Sequence, residues 1–307
     1  MMPSASASTS SSSAPTVEQQ LWLALEICDS SFPGGAFAHS LGLESAKNHG
    51  WVNESRRTLK CFVLQSLEQA VAQLLPLIHE AHGYCTAAPS SSDTTIHPGG
   101  LCKVDEQCHT LLTNEVTRRS SRAQGKCFLR AASEAFSSTS KRLRHLTEVL
   151  SKTFVPATAS SLSPQQRQGW VFQWHYAPLF GAVCGTLGLT LDLTGRMFLR
   201  CLLRDIFSSA ARLNIVGPLE AAQFRSELTV SAEMLLSQDS KGGEERVLKR
   251  RRCEEEDNAN TIQGQQQQQV EQDDPNVTHE RLPTVTSPIL EILQARHDVL
   301  YARLFNS

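Results

Sequence analysis

Asp29, His39 and Ser40 carry the side-chain types of a Ser-His-Asp hydrolase. In such a site the imidazole takes a proton from the hydroxyl and the carboxylate orients the imidazole. All three lie in one dense stretch, Asp29-Ser30-Ser31-Phe32-Pro33-Gly34-Gly35-Ala36-Phe37-Ala38-His39-Ser40-Leu41-Gly42-Leu43-Glu44. No Gly-x-Ser-x-Gly elbow accompanies them. Neighbours on a single helix also project in different directions, so His39 is poorly placed to activate Ser40. Capping and packing suit these residues better, and a Ser/His hydrolase stands as an alternative.

A second group, His79-x-x-His82-x-x-Cys85, has metal-ligand types at helical spacing, with Cys102 and Cys108 further on. Two histidines without another fixed ligand specify little. The plainer reading is a helix end carrying solvated histidines, with a helical metal-binding protein as the other alternative. A third group, Glu115, Arg118, Arg119 and Arg122 ahead of Gln124-Gly125, is dense enough in guanidinium to clamp a carboxylate or phosphate. A solvated helix face explains it equally well. No Gly-x-x-x-x-Gly-Lys-Ser/Thr loop occurs, so the P-loop mode of nucleotide binding is not expected.

Composition narrows the partners. A formal net charge of −2 over 307 residues offers no overall positive field for nucleic acid. No apolar run approaches the ~18 residues that a membrane span needs. Residues 1–16 are Ser/Ala-rich, without a basic and then apolar leader, and read as a disordered tail. Nine cysteines, an odd number without a C-x-x-C pair, fit reduced and buried thiols in the cytoplasm.

The elements that must position these groups are all helical. Apolar residues recur at three and four from Val17 to Cys28. In the dense stretch, Pro33 predicts a helix start, with Asp29, Ser30 and Ser31 as acceptors for its first N–H groups. That helix would carry Phe37, Leu41 and Glu44 on one stripe and contain Gly42, at a cost of about 1 kcal/mol. A third helix follows Asn53 or Ser55 to about Tyr84, with a kink expected at Pro76. Residues 86–100 read as a mobile insertion. Helical spacing resumes over Val104–Ser120, Gln124–Ser137 and Lys141–Thr153. After a loop at Pro156–Gln168 comes an apolar stretch at Gln173–Leu191. A core helix capped by Thr194 then stops at Gly217-Pro218, and another runs to about Leu236. Residues 238–280 hold basic, acidic and Gln runs and too few apolar residues to bury, so a disordered insert is expected. The basic run Lys249–Arg252 has an acidic run directly after it and reads as part of that insert. Ser287–Phe305 is amphipathic. The expectation is an all-α protein with one multi-helix globular domain over 17–237 and a separate C-terminal segment at 285–307.

The stretch from Asp29 to Glu44 resembles the signature of the urease accessory protein UreF family, close to D-S-x-F-P-x-G-x-F-x-H-S-x-G-L-E. Its matching positions here are Asp29, Phe32, Pro33, Gly35, Phe37, His39, Ser40, Gly42 and Glu44. A second block, with Arg118, Ser120, Ser121 and Gly125, resembles the family's Arg-x-Ser-x-x-x-Gly pattern. A third, with Arg212, Leu213, Gly217 and Gln223, resembles its R-L-x-x-x-G-x-x-x-A-Q pattern. The ending Arg303-Leu304-Phe305-Asn306-Ser307 is similar to that of eukaryotic members. The resemblance implies a non-enzymatic, homodimeric assembly factor. With a UreD-type protein (also called UreH) and the GTPase UreG it would support nickel delivery to apo-urease. It also implies that the C-terminal segment orders against UreD, with Leu300, Leu304 and Phe305 as buried anchors and Arg303 and Ser307 as polar ones. No stably bound cofactor is implied. Nickel in transit would find His39 and Glu44 chemically able to touch it, with His79 and His82 as further weak candidates. The Asp29–Glu44 stretch then reads as a docking and packing element whose small residues admit a close neighbour.

Overall fold

Thr16 starts the first helix through a reciprocal cap, its hydroxyl accepting the Gln19 N–H while the Gln19 side chain accepts the Thr16 N–H. The structure, a computed structural model, describes residues 15–53, 55–86, 96–138, 140–153, 172–238 and 283–307. The tail expected at 1–16 lies outside these apart from its last two residues. Most of the insertion expected at 86–100, the loop at Pro156–Gln168 and nearly all of the insert at 238–280 lie outside them as well.

In chain order the helices are α1 (Val17–Cys28), α2 (Leu43–Asn48), α3 (Arg56–Gln69), α4 (Leu75–Gly83), α5 (Pro98–Leu111) and α6 (Glu115–Phe136). Then follow α7 (Lys141–Thr153), α8 (Tyr176–Thr186), α9 (Leu191–Arg212), α10 (residues 218–238) and α11 (Pro288–Ala295). Short 3₁₀ turns lie at Ala36–Ala38 and Arg296–Val299. Among the described residues there is no strand, in agreement with the three-and-four spacing of the sequence. The fold is all-α.

The centre is α8, buried along its whole length from Ala177 to Thr186. Its neighbour is α4, with α6, α5 and α9 around it. The two central backbones come so close that a Cβ on Gly181 would overlap the Ile78 carbonyl oxygen. Only glycine permits that approach. Phe128, Tyr176, Phe180 and Phe198 then form an aromatic cluster with ring centroids 5.2–6.1 Å apart.

Several boundaries differ from expectation for local reasons. Gln124–Ser137 is not a separate segment. Asn114 caps at 2.8 Å the N–H of Thr117, so the chain breaks at 112–114 and α6 then runs without interruption. Pro98 begins α5 inside the stretch expected to be loop. Thr190, not Thr194, caps α9; Thr194 is fully buried one turn in and returns its hydroxyl to the Thr190 carbonyl. Of the nine cysteines, Cys61 and Cys127 are exposed rather than buried, and Cys253 lies outside the described residues. The run Arg56–Gly83 is long and apolar enough to cross a membrane, against the expectation from single apolar runs, yet over half of its most apolar window is buried in the core.

Pro76 acts in an instructive way. Between α3 and α4 the chain takes a π turn, Ala70–Leu74. Proline has no N–H for the carbonyl four residues earlier, that of Ala72. That carbonyl instead accepts the N–H of Thr284 at 3.0 Å, from the segment leading into α11. A helix defect is thus the first attachment point of the C-terminal segment.

Candidate docking site: the clasp between the motif loop and the C-terminal segment

The Asp29–Glu44 stretch is not the single helix expected. Asp29 closes α1 and uses its carboxylate locally, accepting the Ser31 N–H at 2.7 Å and the Ser31 hydroxyl at 2.5 Å. These bonds hold its carboxyl below the usual range. Its own carbonyl accepts from Arg204 on α9 at 2.7 Å. Phe32 stacks on Phe136 and meets Phe128 edge-on, pinning the loop to α6. Pro33 is exposed. Gly35 turns with φ 81°, against Cys127. After the 3₁₀ turn, His39 is extended, and Leu41 and Gly42 both take positive φ, 55° and 88°. Gly42 therefore lies before α2 as its N-cap, not inside a helix. A Cβ there would fall 2.8 Å from the Gln294 side chain of α11. Left-handed backbone and a crossing helix coincide at this residue.

The chain beyond α11 docks on this loop. Of the helix expected over Ser287–Phe305, only Pro288–Ala295 and the 3₁₀ turn are helical; the remainder runs along the motif to satisfy its backbone groups. Asn306 N–H donates to the Ala38 carbonyl at 2.8 Å, and Ser40 N–H donates to the Ser307 main-chain oxygen at 2.5 Å. The Ser40 hydroxyl donates to the same oxygen at 2.9 Å. His39 Nδ1 lies 2.5 Å from the Ser307 hydroxyl. Burial, with the charge of Arg119 nearby, lowers the His39 pKa to about 4, so the ring is neutral near pH 7.

Glu44 is the centre of the clasp and only 4% exposed. It accepts the N–H of Leu304 at 2.5 Å, that of Phe305 at 3.2 Å and His297 Nε2 at 3.0 Å. His297 is fully buried, and its Nδ1 has no hydrogen-bond partner. The contact with the Glu44 carboxylate therefore needs a proton on Nε2. Three donors around one buried carboxylate are the condition under which such a group is tolerated. On the outer side Arg212 of α9 lies 3.8 Å from the Phe37 ring centroid and 4.4 Å from that of Phe305, and donates to the Phe37 carbonyl at 2.5 Å. One side chain of the third sequence block thus joins motif and tail.

A polar seam extends this contact to α6 and α3. Arg119 makes a paired bond to Asp298, at 2.8 and 3.2 Å. Glu291, 9% exposed, accepts from Gln69 at 2.9 Å, Thr113 at 2.5 Å and Asn114 at 3.0 Å. Thr117 donates to Gln294 at 2.9 Å. Glu291 and Asp298 were not singled out in the sequence; a carboxylate in an otherwise apolar helix was the only hint of the first.

The other sequence candidates are distributed as follows. Arg118 donates to the His109 carbonyl and Arg122 pairs with Glu115. Ser120 accepts from Gln124, while Ser121 meets His175 and the Tyr176 N–H. Gly125 lets the Trp174 carbonyl approach α6. Leu213 is buried and its carbonyl accepts from Lys47; Gly217 has open space beside it, and Gln223 is exposed. Within the tail, Phe305 and Ser307 are buried, Leu300 is half-buried, and Leu304 and Arg303 are exposed. Asp29 is not assembled with His39 and Ser40, because its carboxylate is committed to Ser31. His82 is buried rather than solvated, between the Leu189 carbonyl at 2.8 Å and Thr86 at 3.1 Å, and burial pushes the Cys85 thiol to about 12. His79 points towards Gly195. Among the described residues no three His, Cys, Asp or Glu side chains are grouped to hold a metal ion. The reading of residue types also missed Asp105, whose buried carboxylate accepts the N–H groups of Gln173, Trp174 and His175 and so sets the approach to α8.

Beside the loop lies a cleft of about 470 Å³, lined by Ser30, Phe37, Arg204, Asp205, Arg212 and Arg225 among others. The arrangement as a whole binds and orients backbone.

Comparison with known proteins agrees with the family resemblance read from the sequence. The model of the UreF family matches residues 54–229, more than half of the chain. "Urease accessory protein F" of Oryza sativa subsp. indica is 29% identical over 288 residues, covering 94% of this chain and 85% of that protein. The Arabidopsis thaliana protein of the same name is 29% identical over 286 residues, covering 93% and 92%. "Urease accessory protein 6" of Cryptococcus neoformans var. grubii is 25% identical over 327 residues, covering 94% and 98%. With its helical fold, its motif blocks and this match, the chain belongs to the UreF family.

Proposed function

We propose that this protein is a non-enzymatic assembly factor for urease, acting in the cytoplasm. As a homodimer it would bind a UreD-type (UreH-type) accessory protein and a UreG-type GTPase, and the assembly would couple GTP hydrolysis to nickel insertion into apo-urease. Family membership and the names of the plant relatives support the role in urease maturation. The observation that carries the mechanical part of the reading is the clasp. Its motif side presents donors and acceptors to a strip of backbone, and its tail side, residues 300–307, carries Tyr301 and Leu304 with their apolar surface facing outward. A partner that engages that tail would address the motif loop, and α2 and α6 behind it, through one element. Nickel is cargo in this reading. Glu44 has both oxygens engaged by the tail, so it would be free to touch a metal only after the tail had moved.

The test is co-purification with the UreD-type protein, with and without residues 301–307, together with the nickel content of urease from the same cells. The deletion is expected to abolish capture and to leave urease synthesised but nickel-poor. Fully active urease from such cells would overturn the assignment of the tail. A Ser40→Ala variant that kept the complex but lost a turnover would point instead to a hydrolase.

A further inference from the structure

Two sulfurs meet where α1 ends against α9. Cys28, the last residue of α1, donates its S–H to the Met197 carbonyl at 3.8 Å, and Cys201 donates its S–H to Cys28 Sγ at 3.8 Å. Cys28 is half-buried, whereas Cys201 is buried. Disulfide sulfurs lie about 2.05 Å apart. Closing the gap asks for a small adjustment, and Cys28 is suited to make it, since the chain is already extended at Asp29.

We propose that Cys28 and Cys201 are a redox pair that hydrogen peroxide closes to a disulfide, joining α1 to α9 at the root of the motif loop. The Cys28 thiolate attacks one peroxide oxygen; an S–O bond forms, the O–O bond breaks and hydroxide leaves, taking up a proton to become water. The product is a sulfenic acid at Cys28. The Cys201 thiol then gives up its proton and attacks that sulfur; the S–S bond forms, the S–O bond breaks and a second water leaves. Two thiols lose two electrons in total and one hydrogen peroxide gains them, and a dithiol reverses the change. The site favours this order. The hydrogen bond from Cys201, and the charges of Arg204 and Arg200, hold the Cys28 thiol below its usual range. Burial pushes two other thiols up, Cys85 to about 12 and Cys102 to about 11, while the exposed Cys61 and Cys127 are the competitors the test must separate. Arg204 also donates to the Asp29 carbonyl, so the crosslink would fasten the same corner that this bond holds reversibly.

The test uses the full chain, reduced, freed of reductant and treated with a small excess of hydrogen peroxide, then alkylated and digested without reductant. Peptides containing Cys28 and Cys201 are expected joined, two hydrogens lighter than their sum, as the dominant oxidised species. The oxidised protein should melt several degrees higher than the reduced one, a gain that dithiothreitol removes. With Cys201→Ser, Cys28 should pass to sulfinic acid at the same dose. Cys28 recovered from the natural chain only as sulfinic acid, or joined chiefly to another cysteine, would overturn the pair. Because the crosslink is read on the unsubstituted protein, misfolding of a variant does not blur the result.

Discussion

The contact between α4 and α8 and the clasp between motif and tail are both buried, yet they are held by opposite means. At α4–α8 the surfaces are apolar and the backbones close, with Gly181 against the Ile78 carbonyl and every residue from Ala177 to Thr186 out of water. At the clasp the buried atoms are polar: Glu44, His297, His39, Ser40 and Ser307. Apolar packing is lost in one piece when helices separate, and nothing else compensates it. A polar clasp is different. Its groups regain water or another partner's hydrogen bonds when the tail leaves, so its net contribution is modest although breaking one partner alone is expensive. The first contact maintains the fold; the second is built to be exchanged.

The largest effect should come from the apolar contact. Gly181→Leu places atoms where the Ile78 carbonyl stands and is expected to cost on the order of 4 kcal/mol or more. Thermal denaturation followed by circular dichroism should show loss of the cooperative transition; a normal melt would mean that α4 and α8 can part without harm. Glu44→Ala comes next, at about 3 kcal/mol for stranded buried donors, with Glu44→Gln milder. Limited proteolysis at 300–307 should accelerate in both variants while the helical melt remains cooperative. If fold and tail fail together, the two regions are not separable.

Gly42→Leu combines positive φ with the Gln294 side chain, at roughly 1–2 kcal/mol of strain. It should weaken capture of a UreD-type partner more than His39→Gln does, and equal, negligible effects on urease activation would remove Gly42 from the docking argument.

The last prediction concerns pH. His39 titrates at about 4 when folded and near its ordinary 6.5 when released. The folded state therefore binds fewer protons between these values, and the stability contribution is present above pH 6.5 and lost as pH falls towards 4. Tail protection measured by proteolysis should weaken by on the order of 2 kcal/mol from pH 7.5 to pH 5. His39→Gln should flatten that dependence, and an unchanged slope would place the titrating group elsewhere.

Much of the helical framework was legible in advance because helix burial is periodic. The stripe Leu59, Phe62, Val63 and Leu67 is buried as its spacing requires, whereas α9 ends at Arg212 with Asn214 in the left-handed turn, and the expected stop at Gly217-Pro218 is instead the start of α10. Pro76 was read correctly as an interruption, though its use was hidden: the partner for the Ala72 carbonyl lies more than 200 residues away. The motif was legible as a shape-bearing segment through its proline, glycines and small residues. Its conformation was not. A helical stripe through Phe37, Leu41 and Glu44 satisfied local spacing, but Leu41 and Gly42 turn left-handed so that Glu44 can face the tail.

The sequence by itself determined the helical class, the family and the place of the unusual segment, because those depend on residue type and near-neighbour spacing. Only the tertiary structure decided that Glu44 receives His297, Leu304 and Phe305, that Arg212 spans Phe37 and Phe305, and that Cys28 touches Cys201. The physical reason is that buried polar atoms must find partners wherever the fold supplies them. Those partners here lie between roughly 90 and 260 residues away along the chain, where no local pattern points to them.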